Sequence, residues 1–241
     1  MAGRGSAGAR PTPGKPPKKR PVSLVPQEIS GGGRRVQVPA DRLVGWVQRF
    51  GVRNGGLVSM TADPSAVVLT AVDGTTARLV APFGPMALDG REPLEALLEH
   101  IAGIGVIGIL LVRAGAHAAG TARGGAVLSS STHRAYVQGR TAAGGWSQQR
   151  YARRRGNQLD ASLDHAAQVA AQVLVPALAE GLDGLAVGGD LGALTAVLGD
   201  PELAGLAALP RRMFGDVPEP RRVVLDEVAE RALLVEIEIR P

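Results

Sequence analysis

Residues 144–155, Gly-Gly-Trp-Ser-Gln-Gln-Arg-Tyr-Ala-Arg-Arg-Arg, concentrate the groups most able to do chemistry in this 241-residue sequence. Gly144 and Gly145 let the backbone come close to a reacting bond and take positive φ. A neutral amide, Gln148 or Gln149, offers one N–H donor and one C=O acceptor, enough to orient a water molecule without adding charge. Arg150, Arg153 and Arg154 follow at i, i+3 and i+4, one face of a helix and a spacing suited to phosphate groups. Arg155 and the upstream Arg140 extend the same basic stretch. A glycine pair alone is not diagnostic, since others occur at 31–33, 55–56, 124–125 and 188–189. The combination with Ser147, two glutamines and the arginine face is what sets this one apart.

Other chemistries are poorly supported. With no Cys there is no disulfide framework, zinc ribbon or thiol nucleophile, and the four His form no HxxH or HExxH pair. We therefore expect no metal and no small-molecule cofactor. The longest apolar run, 101–112, is too short for a membrane span and the N-terminus lacks a secretion-type apolar stretch, so a soluble, cytoplasmic protein is expected. His117, His133 and His165 read as ordinary surface or sheet residues.

Charge is distributed unevenly. Residues 1–35 carry eight bases and one acid, a net +7, while the other 206 residues carry 19 bases and 21 acids, a net −2. The first segment is rich in Gly, Pro and Ser and reads as a disordered basic tail. From 100 to 159 there is no Asp or Glu, yet Arg113, Arg123, Arg134, Arg140, Arg150, Arg153, Arg154 and Arg155 supply eight positive charges. Such clustering is self-repulsive unless an anion offsets it, which favours a nucleic-acid partner.

Positioning those groups requires a scaffold. Residues 36–90 read as a small α+β unit: a strand at 35–38, an amphipathic helix at 43–50, and strands at 57–60, 67–70 and 76–80, the last two joined through Asp73-Gly74. Residues 91–241 read as a second domain. A helix at 94–100 leads to an apolar strand at 105–115, expected to pair with a strand at 124–137 across a small-residue turn. An exposed loop at 141–147 then feeds a long helix at 148–179. A strand at 185–187, helices at 191–198 (capped by Asp190), 202–209 and 224–231, and a strand at 233–239 complete an α/β, three-layer domain with a mixed central sheet. Gly188-Gly189-Asp190 reads as a strand-to-helix turn; Arg211-Arg212 and Arg221-Arg222 read as solvated loops or RNA contacts.

The segment 144–155 resembles the peptidyl-hydrolysing middle domain of eukaryotic and archaeal class I peptide-chain release factors, whose hallmark GGQ runs into a helix beginning roughly S-x-x-R-[FY]-x-R. Gly144 and Gly145 match the glycines, Ser147 the serine, Arg150 and Arg153 the arginines and Tyr151 the aromatic residue. Trp146 stands where that family has Gln, and Gln148 lies two residues later. That makes the VLRF group, release-factor-like peptidyl-tRNA hydrolases of ribosome quality control with an actinobacterial branch, the closer resemblance, over residues 105–240.

The resemblance implies that Gln148 is the catalytic amide, with Gln149 the runner-up, acting on the ester between a nascent peptide and tRNA. On physical grounds Trp146 can stack on a terminal base and Arg150, Arg153 and Arg154 can hold acceptor-stem phosphates. The expected partners are the large ribosomal subunit and peptidyl-tRNA. No helical hairpin of the kind that reads stop codons is apparent, so rescue of stalled or split ribosomes is expected rather than ordinary termination. The alternative is a non-hydrolytic ribosome- or tRNA-binding factor on the same scaffold.

Overall fold

The computed structural model describes residues 26–113, 115–134 and 146–241, with 146–155 as helical backbone. Two sheets organise the chain. The first contains β1 (Gln27–Ile29), β2 (Gly33–Val38), β3 (Leu57–Asp63), β4 (Ala66–Ala71), β5 (Thr76–Val80) and β11 (Val235–Arg240), in the order β1-β2-β11-β5-β4-β3 and antiparallel throughout. Burial alternates along β5 and β11 and along most of β4. Val67, Leu69, Ala77, Leu79, Val235 and Ile237 point into a core closed by Leu43, Val47 and Phe50 of α1 (Leu43–Arg53) and by Leu97 and Ile101 of α2 (Pro93–Gly103). Burying each such Leu or Ile contributes about 1.5–3 kcal/mol.

The second sheet has the order β10-β9-β6-β7-β8, from β10 (Arg211–Phe214), β9 (Gly184–Gly189), β6 (Val106–Arg113), β7 (Ala116–Arg123) and β8 (Ala126–Arg134). β10, β9 and β6 run parallel; β7 runs antiparallel to β6, and β8, antiparallel to β7, returns to the direction of β6. β6 is apolar on both faces because both are covered. Leu110 and Val112 meet α3 (Trp146–Glu180) and α4 (Leu191–Leu198), while Ile107, Ile109 and Leu111 meet α5 (Arg222–Ala232). This is the expected three-layer α/β arrangement with a mixed sheet.

Three expectations need correction. The strands expected at 105–115 and 124–137 do not pair, because β7 lies between them. Its Ala-His-Ala-Ala-Gly-Thr-Ala sequence has Thr121 as its one β-branched residue and is otherwise mostly Ala and Gly, for small side chains are what the site can hold: a Cβ on Gly120 would sit 2.8 Å from the Ser129 carbonyl oxygen. The basic tail is shorter than 1–35, since residues 27–29 and 33–38 form β1 and β2; residues 1–25 lie outside the described residues. The division at 90/91 is also revised. β11 leaves the 91–241 segment and inserts between β2 and β5, where Val235, Ile237 and Ile239 complete the first core and Arg35 bridges Glu236 and Glu238 at 3.0 and 2.8 Å.

Candidate functional site

The carboxyl ends of β6, β9 and β10 lie together at one end of the second sheet, the end at which open α/β sheets carry their ligand sites. β8 also ends there, since Arg134 is in register with Ala116 and Ala116 with Arg113. The connection to α3 therefore starts at this edge. Gly144, Gly145 and Arg140 fall on that connection and lie outside the described residues.

Trp146, expected in the loop, is the first residue of α3, and Gln148 and Gln149 fall in its first turn. Helical periodicity places positions 150, 153 and 154 on one face, as expected. It also places 146, 149 and 153 close to one line, and 148 with 155 on another, so the two glutamines are separated by about 100° around the axis. Nothing in this part of the backbone interrupts the helix, which is favoured by its run of Ala, Gln, Arg and Leu.

α3 is anchored downstream. Ser162, Ala166, Ala167, Val169, Ala170 and Leu174 are buried against the second sheet, along with the half-buried Leu163 and Leu178. From Trp146 to Ser162 is about 24 Å of helix axis. This stretch of helix separates the buried half of α3 from position 146.

Three histidines form the clamp nearest the start of this buried half. His117 on β7 and His133 on β8 are cross-strand partners stacked at 5.1 Å, and His165 of α3 covers both, at 5.0 and 4.2 Å between ring centroids. His165 Nδ1 and His117 Nε2 share a 3.0 Å hydrogen bond. These residues, read from sequence as ordinary, tie α3 to both strands beside the connection. No sequence pattern announces them, since they lie on three elements. Among the described residues no group of three or more His, Asp or Glu is arranged to hold a metal ion.

Burial pushes the His117 pKa down to about 4, and the charges of His165 and His133 push the same way. His117 is therefore neutral in the fold where the unfolded chain would already be protonated. Stability should be full above about pH 6.5 and decline as the pH falls toward 4. The loss should be on the order of 2 kcal/mol after allowing for the water that reaches the exposed His133. Denaturant midpoints recorded across that window check this, and His117→Leu should flatten the slope.

The remaining arginines divide by role. Arg113 donates to the Val217 carbonyl at 2.9 Å, and Arg134 pairs with Glu219 at 2.8 Å, so these two serve the fold at the candidate end of the sheet. Arg212, considered for RNA contact, lies in β10 with its guanidinium donating to the Ala232 and Leu234 carbonyls. It is displayed to no ligand, and burial pushes its pKa down to about 10. Arg221 and Arg222 pair with Glu219 and Asp226. The Gly188-Gly189-Asp190 turn caps α4, with Asp190 accepting from Ala193 N–H at 3.1 Å.

The chain is similar to the crystal structure of an archaeal translation termination factor, aRF1, at 18% identity and a TM-score of 0.35. The likeness covers 68% of this chain and 51% of that one, so the chain spans about half the length of that factor. No curated protein matches. The model of one family, described as the Actinobacteria/chloroflexi VLRF1 release factor, matches residues 105–238, from the start of β6 into β11. A match over more than half of the sequence, including the whole Gly-Gly-to-arginine segment, makes this chain a member of the Actinobacteria/chloroflexi VLRF1 release-factor family.

Proposed function

We propose that the protein hydrolyses the ester bond of peptidyl-tRNA on stalled or split large ribosomal subunits in the cytoplasm, releasing the nascent chain. The observation that carries this reading is the run of Gly-Gly, two glutamines and arginines at the start of a long helix within a release-factor family match.

The chemistry asks little of the protein. An ester is already open to attack by water, so access, orientation and exclusion of bulk solvent supply the rate. Gly144 and Gly145 admit the backbone to the ester. The Gln148 amide accepts from one water proton with its carbonyl oxygen and steadies developing negative charge with its N–H. The substrate's own 2′-hydroxyl relays the proton to the departing ribose oxygen. Trp146 stacks on the terminal base, while Arg150, Arg153 and Arg154, aided by Arg140 and Arg155, hold acceptor-stem phosphates and set the depth of insertion.

The test is release of labelled peptide from a defined peptidyl-tRNA, either bound to isolated large subunits or free. Release from subunits supports the proposal. Subunit binding without release would favour the non-hydrolytic alternative. Replacing Arg150, Arg153 and Arg154 together with Gln should weaken subunit binding at least tenfold. The slope of log K against log salt should become shallower by about two to three, because each lost phosphate contact removes roughly 0.7–0.9 from it. A binding titration at several salt concentrations reads both.

A further inference from the structure

A second cationic site lies on the first sheet, outside the residues that match the family. A cavity of about 210 Å³ opens between α1 and the β2–β11 pair. Trp46, Arg49, Phe50 and Arg53, at i, i+3, i+4 and i+7 along α1, form one wall, and Arg34 of β2 stands at another. The Trp46 and Phe50 rings stack at 5.4 Å and 11°, giving the cavity an aromatic floor. No acidic side chain lines it. Among the described residues the guanidiniums of Arg34, Arg49 and Arg53 have no ion pair or hydrogen bond; Glu28, opposite Arg34 in register, makes no ion pair with it.

Three unpaired guanidiniums around one cavity repel one another, and the fold offers no anion to offset this. The next residue of β2, Arg35, is by contrast held by two carboxylates. The volume is small for a cofactor but sufficient for one base or phosphate. Residues 1–25 hold six more bases and no acid, and they join the described fold at Pro26, which lines the cavity. A cationic chain segment leading to a cationic, aromatic-floored groove matches an extended polyanion with stackable bases rather than an isolated phosphate.

We infer that the groove between α1 and β2 is a binding site for single-stranded RNA. Arg34, Arg49 and Arg53 engage successive phosphates and Trp46 supplies the stacking surface for a base. The site shares no residue with the 144–155 segment and stands whether or not the chain hydrolyses peptidyl-tRNA.

The experiment uses the full chain and a fluorescein-labelled twelve-nucleotide oligouridylate. Arg49→Gln with Arg53→Gln, both on the surface of α1, should weaken binding about five- to twentyfold and make the salt slope shallower by about 1.4, at 0.7 per single-stranded phosphate. In a Trp146→Phe chain Trp46 is the sole tryptophan. Its fluorescence should be quenched saturably by the oligonucleotide and left unchanged by inorganic phosphate, and the quenching should vanish in the Arg49/Arg53 variant. Unchanged affinity and slope in that variant overturn the inference, as does a silent Trp46 at saturating RNA. Equal quenching by inorganic phosphate overturns it too, leaving only an anion site.

Discussion

Gln148→Ala should reduce peptide release from large-subunit-bound peptidyl-tRNA by about 10²–10⁴-fold while leaving subunit affinity within about twofold. The range is that of losing one positioned group that orients the nucleophile or steadies the oxyanion. Binding should survive because the phosphate contacts belong to Arg150, Arg153 and Arg154, whose helical positions lie away from that of Gln148. Gln149→Ala is the necessary companion, because α3 begins at Trp146 and the adjacent glutamines therefore cannot serve the same spot: about 100° of rotation separates them. Position 149 shares a line with Trp146 and Arg153, whereas 148 aligns with Arg155. If release is lost in Gln149→Ala and kept in Gln148→Ala, the catalytic amide is the one on the tryptophan side. If both variants release peptide at the wild-type rate, neither Gln148 nor Gln149 is the catalytic amide, and the assignment of the reaction to this pair fails even though release itself persists.

Local signals in the sequence were read well where a single element explains its own residues. The helix at 191–198 with Asp190 as cap, the Asp73-Gly74 turn and the β6 strand are seen nearly where expected. What stayed hidden depends on partners distant in the chain. β7 reads as a turn because its residues are small, and they are small because α3 and β8 crowd it. β11 shows its alternation plainly, but nothing local tells that its neighbours are β2 and β5, about 200 and 160 residues earlier. Arg212 looks like a ligand-seeking cation until β10 pairs with β9 and carries it beneath the α5–β11 junction. The Gly-Gly-to-arginine run was legible as a motif because its spacing is local. The histidine clamp that braces its helix was not, since His117, His133 and His165 meet only through strand register and helix packing.

Gly189→Ala should be among the most damaging single-methyl changes available to this fold. Gly189 ends β9 with φ of +110°, in parallel register with Val112 of β6. Two costs then coincide. A side chain at that φ is strained by about 1–2 kcal/mol, and the added Cβ would collide with the Val112 carbonyl oxygen, a backbone atom that no rotamer change can move. That carbonyl also accepts from Asp190 N–H at 2.8 Å, so retreat by either strand loosens the start of α4. We expect a loss of about 3–5 kcal/mol, lowering the melting temperature by about 6–20 °C for a chain of this size. Gly74→Ala is the control that separates the two costs. Gly74 has φ of +88° but nothing within 4 Å of its added Cβ, so it should lose only the conformational part, about 1–2 kcal/mol. Paired thermal melts by circular dichroism decide the matter: if the two variants melt together, the close approach of β9 to β6 contributes nothing beyond the glycine's backbone freedom. If Gly189→Ala melts well below Gly74→Ala, the contact between the two strands is what holds the candidate end of the sheet in place.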